Sequence, residues 1–146
     1  MSEYDYTVML VDDDLGAAHL VMVAIADSPY RCRLQHFRDG VTAMNHLHSI
    51  VGNGRDIPDL VLLDLNMPRK NGFEVLADIR NDDILMDIPV VVLSTSDAEQ
   101  DVTLAYRSGA SGYVTKPIDI DDLFMAVKGI EDYWFRLVRR CRQRGR

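Results

Sequence analysis

Asp64 closes the run Asp59-Leu60-Val61-Leu62-Leu63, and two other segments set charges at matching points. Val8-Met9-Leu10-Val11 runs into Asp12-Asp13-Asp14, and Gly112-Tyr113-Val114-Thr115 runs into Lys116-Pro117. If these runs are parallel strands of one sheet, their carboxyl ends share an edge. Carboxylates and one ammonium then meet in a small volume. Crowded carboxylates repel and call for a divalent cation, while a lysine among them calls for a further anion. A hard cation such as Mg²⁺, or Mn²⁺ in its place, takes oxygen ligands and keeps waters, so one or two carboxylates suffice. A carboxylate can also attack a phosphoryl group and form an acyl phosphate, with positioning and charge neutralisation supplying most of the catalysis. The expected chemistry is the phosphorylation of an aspartate.

Each residue also has a plainer reading. Adjacent residues at a strand end point to different sides, so Asp12, Asp13 and Asp14 do not all face one ion. Asp12 and Asp13 are assigned to the metal, and Asp14 to capping the helix that follows. Asp64, alone a turn-capping residue, becomes the candidate nucleophile in company, and Asn66 can offer its backbone carbonyl to the metal. Lys116, alone a surface lysine, becomes a point charge for phosphoryl oxygens. The bond before Pro117 is a candidate for the cis form. Ser94 can donate its hydroxyl to a phosphoryl oxygen, whereas Ser96 or Asp97 is expected to cap the next helix. Tyr113 reads as edge packing. His19, His36, His46 and His48 lack convergent ligand spacing and are read as structural.

The elements that would position these groups alternate strictly. Strand patterns cover Tyr6–Val11, Arg31–Phe37, Leu60–Leu63, Pro89–Leu93 and Gly112–Thr115. Helix patterns cover Ala17–Ala26, Val41–Val51, Phe73–Arg80, Ala98–Ser108 and Asp119–Val138. Gly52-Asn53-Gly54 is expected to end the second helix through positive φ, and Asp119 or Asp121 to cap the last. Continuous Val/Leu runs suit strands covered on both faces. The prediction is an α/β fold: a doubly wound, five-stranded parallel sheet with five helices.

The chain has 146 residues and a net charge of -7. It reads as a single domain over 1–146, with a basic helical extension at about 136–146. Ahead of Arg136 it carries 10 basic and 23 acidic residues, a balance that argues against nucleic-acid binding by the body. The arginine-rich end reads as a solvated helix terminus, or as a contact for phosphate, membrane or an acidic partner. There is no stretch of membrane-span length and no secretion signal, so a cytoplasmic location is expected. Cys32 and Cys141 lack paired spacing, so neither a disulfide nor a zinc framework is expected.

Val11-Asp12-Asp13, Leu63-Asp64-Leu65-Asn66-Met67-Pro68, Asn71-Gly72, Leu93-Ser94 and Gly109 to Pro117 stand together in one order. In that order and spacing the chain, from Tyr6 to Val138, resembles the receiver domain of bacterial two-component response regulators. The resemblance implies a flavodoxin-like fold and a signalling role rather than an enzyme's, beyond assistance to the chain's own phosphotransfer and dephosphorylation. It implies Asp64 as phosphoacceptor from a histidine of a sensor kinase, and Asp12 and Asp13 as the Mg²⁺ pair, with Asp13 the direct ligand. It further implies Ser94 as switch hydroxyl, Tyr113 as switch aromatic, Lys116 as phosphate-binding lysine, and Asn66 and Ser96 as positions that tune dephosphorylation. The Gly52–Pro58 connection, Pro89 to Ser96 and Lys128-Gly129-Ile130-Glu131-Asp132-Tyr133-Trp134-Phe135 look like single-domain regulators paired with phytochrome kinases. The basic end, 139–146, departs from that type. The apolar content of the last helix (Leu123, Phe124, Val127, Ile130, Trp134, Phe135) predicts a homodimer.

Two rival readings are an Asp-x-Asp phosphohydrolase, read from Asp12-Asp13-Asp14, and an adaptor that never takes up phosphate. The hydrolase pattern wants Gly-Thr or Gly-Val after the second Asp, where this chain has Leu15-Gly16. A dinucleotide-binding enzyme is a weaker rival still, because no Gly-x-Gly-x-x-Gly follows the first strand.

Overall fold

The computed structural model describes residues 4–52 and 57–137. The strands are β1 (Tyr6–Val11), β2 (Cys32–Phe37), β3 (Leu60–Leu63), β4 (Val90–Ser94) and β5 (Gly112–Thr115). The helices are α1 (Leu15–Ala26), α2 (Gly40–Ile50), α3 (Gly72–Arg80), α4 (Glu99–Arg107) and α5 (Ile120–Glu131). All strands are parallel, in the order β2-β1-β3-β4-β5, as the alternation predicts.

Side chains alternate across a strand, and here the alternation divides the core in two. Met9, Val11, Val61, Leu63, Val90 and Val92 pack with the apolar faces of α2 and α3 and with Ala105 of α4. Val8, Leu10, Leu60, Leu62, Val91 and Leu93 pack with α1 and α5 on the other face. The central strands are buried on both sides, which is why their sequences are unbroken Val/Leu runs.

Helix starts follow local chemistry. Asp14 caps α1 by accepting the Ala17 N–H, so that helix begins two residues before the expected point. Asp119 caps α5. Asn71 and Glu74 close a reciprocal capping box on α3, a signal that Asn-x-x-Glu already carries in the sequence. Neither Ser96 nor Asp97 is the N-cap of α4; that position falls on Ala98, whose side chain makes no cap bond.

Three further expectations are corrected. Helix α2 closes at Val51 in right-handed geometry, and Gly109 is the glycine with positive φ among the described residues, so Gly52 does not end the helix that way; Asn53 and Gly54 lie outside the described residues. The Lys116–Pro117 bond is trans. The last helix does not run on as α-helix, because Asp132–Leu137 widens into a π-helical segment. Within that segment Phe135 is buried and stacks on Tyr6 at 4.1 Å between ring centres. The predicted basic extension enters this segment at Arg136, and 138–146, including Cys141, lie outside the described residues. Cys32 is a free thiol that donates to Glu131 at 3.5 Å. Burial, reinforced by Glu131, pushes its ionisation well above the usual thiol range, which makes it unreactive.

Arg80 at the end of α3 ties the lower loops together. Its guanidinium donates to the carbonyls of Gly109 (2.8 Å), Met86 (2.9 Å) and Ile88 (2.7 Å) and to the Ser111 hydroxyl (3.3 Å). Arg80→Ala is expected to cost about 2–3 kcal/mol in urea unfolding, since the guanidinium leaves several carbonyls without a donor at once. Lysine, lacking the fork, should rescue little; full rescue by Arg80→Lys would contradict this role.

Candidate functional site

The strand order reverses between β1 and β3, and the site lies at their carboxyl ends. Val11 pairs with Leu63 in register, and the Asp64 N–H donates to the Val11 carbonyl at 2.9 Å. Asp12 and Asp64 therefore leave the sheet side by side. Carboxylate oxygens of Asp12, Asp13 and Asp64 all lie within 4.8 Å of one another. Asp12 is 1% exposed and Asp64 7%, while Asp13 is open to solvent. Two nearly buried carboxylates with a third at the mouth form an acidic divalent-metal site, and an oxygen-rich donor set of this kind suits Mg²⁺ or Mn²⁺.

Lys116 comes in from the end of β5. Its ammonium sits on Asp12 Oδ2 at 2.8 Å, with both groups buried. Asp12 Oδ1 accepts the Asp14 N–H at 2.9 Å, and His36 Nε2 lies 2.8 Å from the Asp12 carbonyl. His36 thus braces the strand end, in keeping with a structural histidine. Asp64 has no lysine bonded to it. Burial raises its carboxyl from 3.8 to about 6; the Lys116 charge opposes that rise, Asp12 and Asp13 add to it, and the Asn66 N–H bond lowers it. A carboxyl so placed becomes a better ligand once a cation joins the site.

The β3–α3 loop is held at close range. A Cβ on Gly72 would strike the Asp64 carbonyl and come within 2.7 Å of Leu65 Cα. Only glycine lets α3 begin this close to the backbone of Asp64. Arg69, with φ of 67°, reaches back to Asp39 at 3.2 Å and ties this loop to the cap of α2. Asn66 is exposed in the same loop. A pocket lined by Asp13, His36, Arg38, Asp39, Thr42 and Pro68 opens on the Asp13 side.

Ser94 ends β4 completely buried. Its hydroxyl oxygen accepts the Ser96 N–H at 3.2 Å rather than meeting Asp64. Tyr113 is half-buried, and its hydroxyl donates to the Ser96 carbonyl at 2.7 Å, a bond that edge packing alone does not foresee. The sequence-derived set is thus gathered at one edge: three carboxylates together, the lysine on one of them, and Ser94 and Tyr113 joined through Ser96. That joining role of Ser96 was missed; nothing in its spacing announces it.

Known proteins match both the sequence and the shape. The response regulator receiver domain model matches residues 8–128. The response regulator Rcp1 of Synechocystis sp. is 41% identical over 133 residues, covering 90% of this chain and 90% of Rcp1. A probable methanogenesis regulatory protein, FilR2 of Methanothrix harundinacea, is 38% identical over 91% of this chain and 86% of its own length. Among solved structures, phosphorylated cyanobacterial phytochrome response regulator RcpA superposes with a TM-score of 0.83 at 40% identity, over 92% of this chain and 96% of RcpA. The Mn²⁺-bound form of Rcp1 superposes at 0.82 and 39% identity, over 92% and 97%. Motif order, strand order and these likenesses agree, and the chain belongs to the response regulator receiver domains, phosphoacceptor proteins of signalling.

Proposed function

We propose that Asp64 accepts a phosphoryl group from a phosphohistidine of a sensor histidine kinase, and that the acyl phosphate alters the chain's protein contacts. The observation that carries this reading is the clustering of Asp12, Asp13 and Asp64 within 4.8 Å, with Lys116 seated on Asp12. Asp13, Asp64 and the Asn66 carbonyl would hold Mg²⁺, with Asp12 completing the acidic pair; the bound cation would neutralise charge on the phosphoryl oxygens. Asp64 is the nucleophile because it alone combines burial, a register position beside β1 and a backbone fixed by Gly72. Lys116 shifts from Asp12 toward the phosphoryl oxygens, and Ser94 donates its hydroxyl to one of them. Tyr113 follows through Ser96, so a local charge change biases the packing beside α4 and α5.

Mass spectrometry after treatment with an acyl phosphate and Mg²⁺ should place the phosphoryl group on the peptide carrying Asp64. Label on Asp12 or Asp13 instead would overturn the assignment. The likeness to RcpA supports a phytochrome as the kinase, and a phosphotransfer profile against the host's kinases tests that directly. Among the described residues no helix is long and apolar enough to cross a membrane, which is compatible with a cytoplasmic partner. The body 4–137 and the basic end together act as one receiver unit.

The homodimer needs a different surface from the one expected. Leu123, Val127, Ile130 and Phe135 are core residues, and Phe124 and Trp134 pack against that core. Exposed apolar groups include Leu104 and Tyr106 of α4, Met125 of α5 and Tyr133 just after it. Of these, Tyr106 and Tyr133 border, with Val114, Ala126 and Trp134, a groove along the edge strand β5. An exposed strand edge with apolar margins favours a partner, and a second copy of this chain meets its chemistry. Light scattering should give a concentration-dependent dimer that Tyr106→Glu, at the groove, weakens at least tenfold; a monomer at all concentrations, with or without a phosphoryl analogue, would contradict it.

A further inference from the structure

The β4–α4 connection is organised around Ser96. Its N–H donates to Ser94 Oγ (3.2 Å), and its carbonyl accepts the Tyr113 hydroxyl (2.7 Å). Its own hydroxyl donates to Asp101 Oδ2 at 2.6 Å and accepts the Ala98 N–H at 3.3 Å. Helix α4 has no capping side chain at Ala98. The Ser96 oxygen takes the N–H of the N-cap residue itself, and a hydroxyl on a carboxylate at the distance of the Ser96–Asp101 contact is a strong, charge-assisted bond. Asp101 lies in the first turn of α4, where the helix dipole favours its charge.

We propose that Asp101 is a positioning residue of the phosphorylation switch. It pins the Ser96 side chain, and the two ends of that residue's peptide backbone then hold Ser94 and Tyr113 in one arrangement. The inference rests on the roles proposed above for Asp64, Ser94 and Tyr113. With Ser96 pinned, Ser94 Oγ accepts an N–H and keeps its own proton for a phosphoryl oxygen. With Ser96 free, the Ser94 rotamer and the Tyr113 acceptor are both released, and water reaches the acyl phosphate more easily.

The test is the half-life of the phosphorylated full-length chain with Mg²⁺ after the acyl phosphate donor is removed. Asp101→Ala should shorten it roughly three- to tenfold, only part of what a charge-assisted hydrogen bond is worth, because the bond reaches the acyl phosphate through Ser96. Asp101→Asn keeps an acceptor oxygen and should stay within about twofold of the wild type. Ser96→Ala removes the same hydroxyl bond, together with the acceptor of the Ala98 N–H, and leaves the Asp101 carboxylate in place; the double variant should decay no faster than the faster single variant. Hydrogen exchange at the Ser96 amide should accelerate in Asp101→Ala and not in Asp101→Asn, which a general loss of stability would not reproduce. Equal half-lives for wild type and Asp101→Ala would overturn the proposal, as would Asp101→Asn decaying as fast as Asp101→Ala. A wild type that takes up no label would instead overturn the phosphoacceptor reading, and this one with it.

Discussion

Asp64→Asn should abolish phosphoryl uptake and, without metal, make the protein more stable. The two effects have one cause. Asp64 is 93% removed from solvent by its 7% exposure, and burial raises its carboxyl from 3.8 to about 6, against the pull of Lys116 and with a push from Asp12 and Asp13. The folded chain therefore holds a proton on Asp64 more readily than the unfolded chain. The resulting stabilisation is complete below about 3.8 and is lost as pH rises through about 6. At pH 8 the ionised wild type carries a penalty on the order of 1–3 kcal/mol, taking about 1.4 kcal/mol for each pH unit. Asparagine keeps the shape and can accept the Asn66 N–H, but it has no charge to bury. Urea unfolding in a chelator should show Asp64→Asn ahead at pH 8, with the gap narrowing below about pH 6. Added Mg²⁺ should raise the wild type more than the variant, because a ligand bound only by the native state stabilises more the tighter it binds. A variant no more stable than wild type at pH 8 would show that the site does not store this electrostatic tension. A variant that still forms the acyl phosphate would remove Asp64 from the mechanism.

Such tension is written into the sequence only where the strands end. The runs before Asp12, Asp64 and Lys116 were legible because a strand covered on both faces must be apolar throughout, so the first charge marks its end. Strand alternation then placed those charges on one edge. What could not be read was which charges pair. Lys116 and Asp12 are 104 residues apart and meet only after β1, β3, β4 and β5 assemble in order. The first turn of α1 was hidden because Leu15-Gly16 looks like a loop, whereas its cap, Asp14, was legible. The change in α5 left no clear signal, because Val127, Ile130 and Phe135 stand at i, i+3 and i+8, a spacing that an ordinary α-helix also keeps on one face. Gly72 shows the opposite case: its type was plain, yet the Asp64 carbonyl that forbids a Cβ there is visible only in three dimensions. The Ser96 linkage is of the same kind, since its carbonyl and N–H take partners from β5 and β4, and any residue type could have offered them.

Removing Lys116 should do the reverse of removing the Asp64 charge. The Lys116–Asp12 pair is buried at both ends, with side chains 7% and 1% exposed. Breaking a buried pair from one side leaves the other charge without compensation, which costs about 3–5 kcal/mol. Here the stranded group, Asp12, also faces Asp13 and Asp64 at close range. Lys116→Met, which keeps most of the aliphatic length, should therefore be strongly destabilised in a chelator. Asp12→Asn together with Lys116→Met removes both charges and should recover most of the loss. The divalent cation adds a second discriminating condition. An ammonium and a metal ion are alternative partners for the same carboxylates, so the variant should draw more stabilisation from Mg²⁺ than the wild type does. Phosphoryl uptake should stay low even when Mg²⁺ restores the fold, because one cation cannot both satisfy Asp12 and replace the point charge on the far phosphoryl oxygens. Equal gains from Mg²⁺ in both proteins would mean that Lys116 is not the counter-ion of the acidic site. Full phosphorylation of the refolded variant would confine the lysine to stability. The expected split is a fold rescued by metal and a reaction that is not, which would give Lys116 two successive tasks: holding the acidic site together before phosphorylation, and holding the phosphoryl group after it.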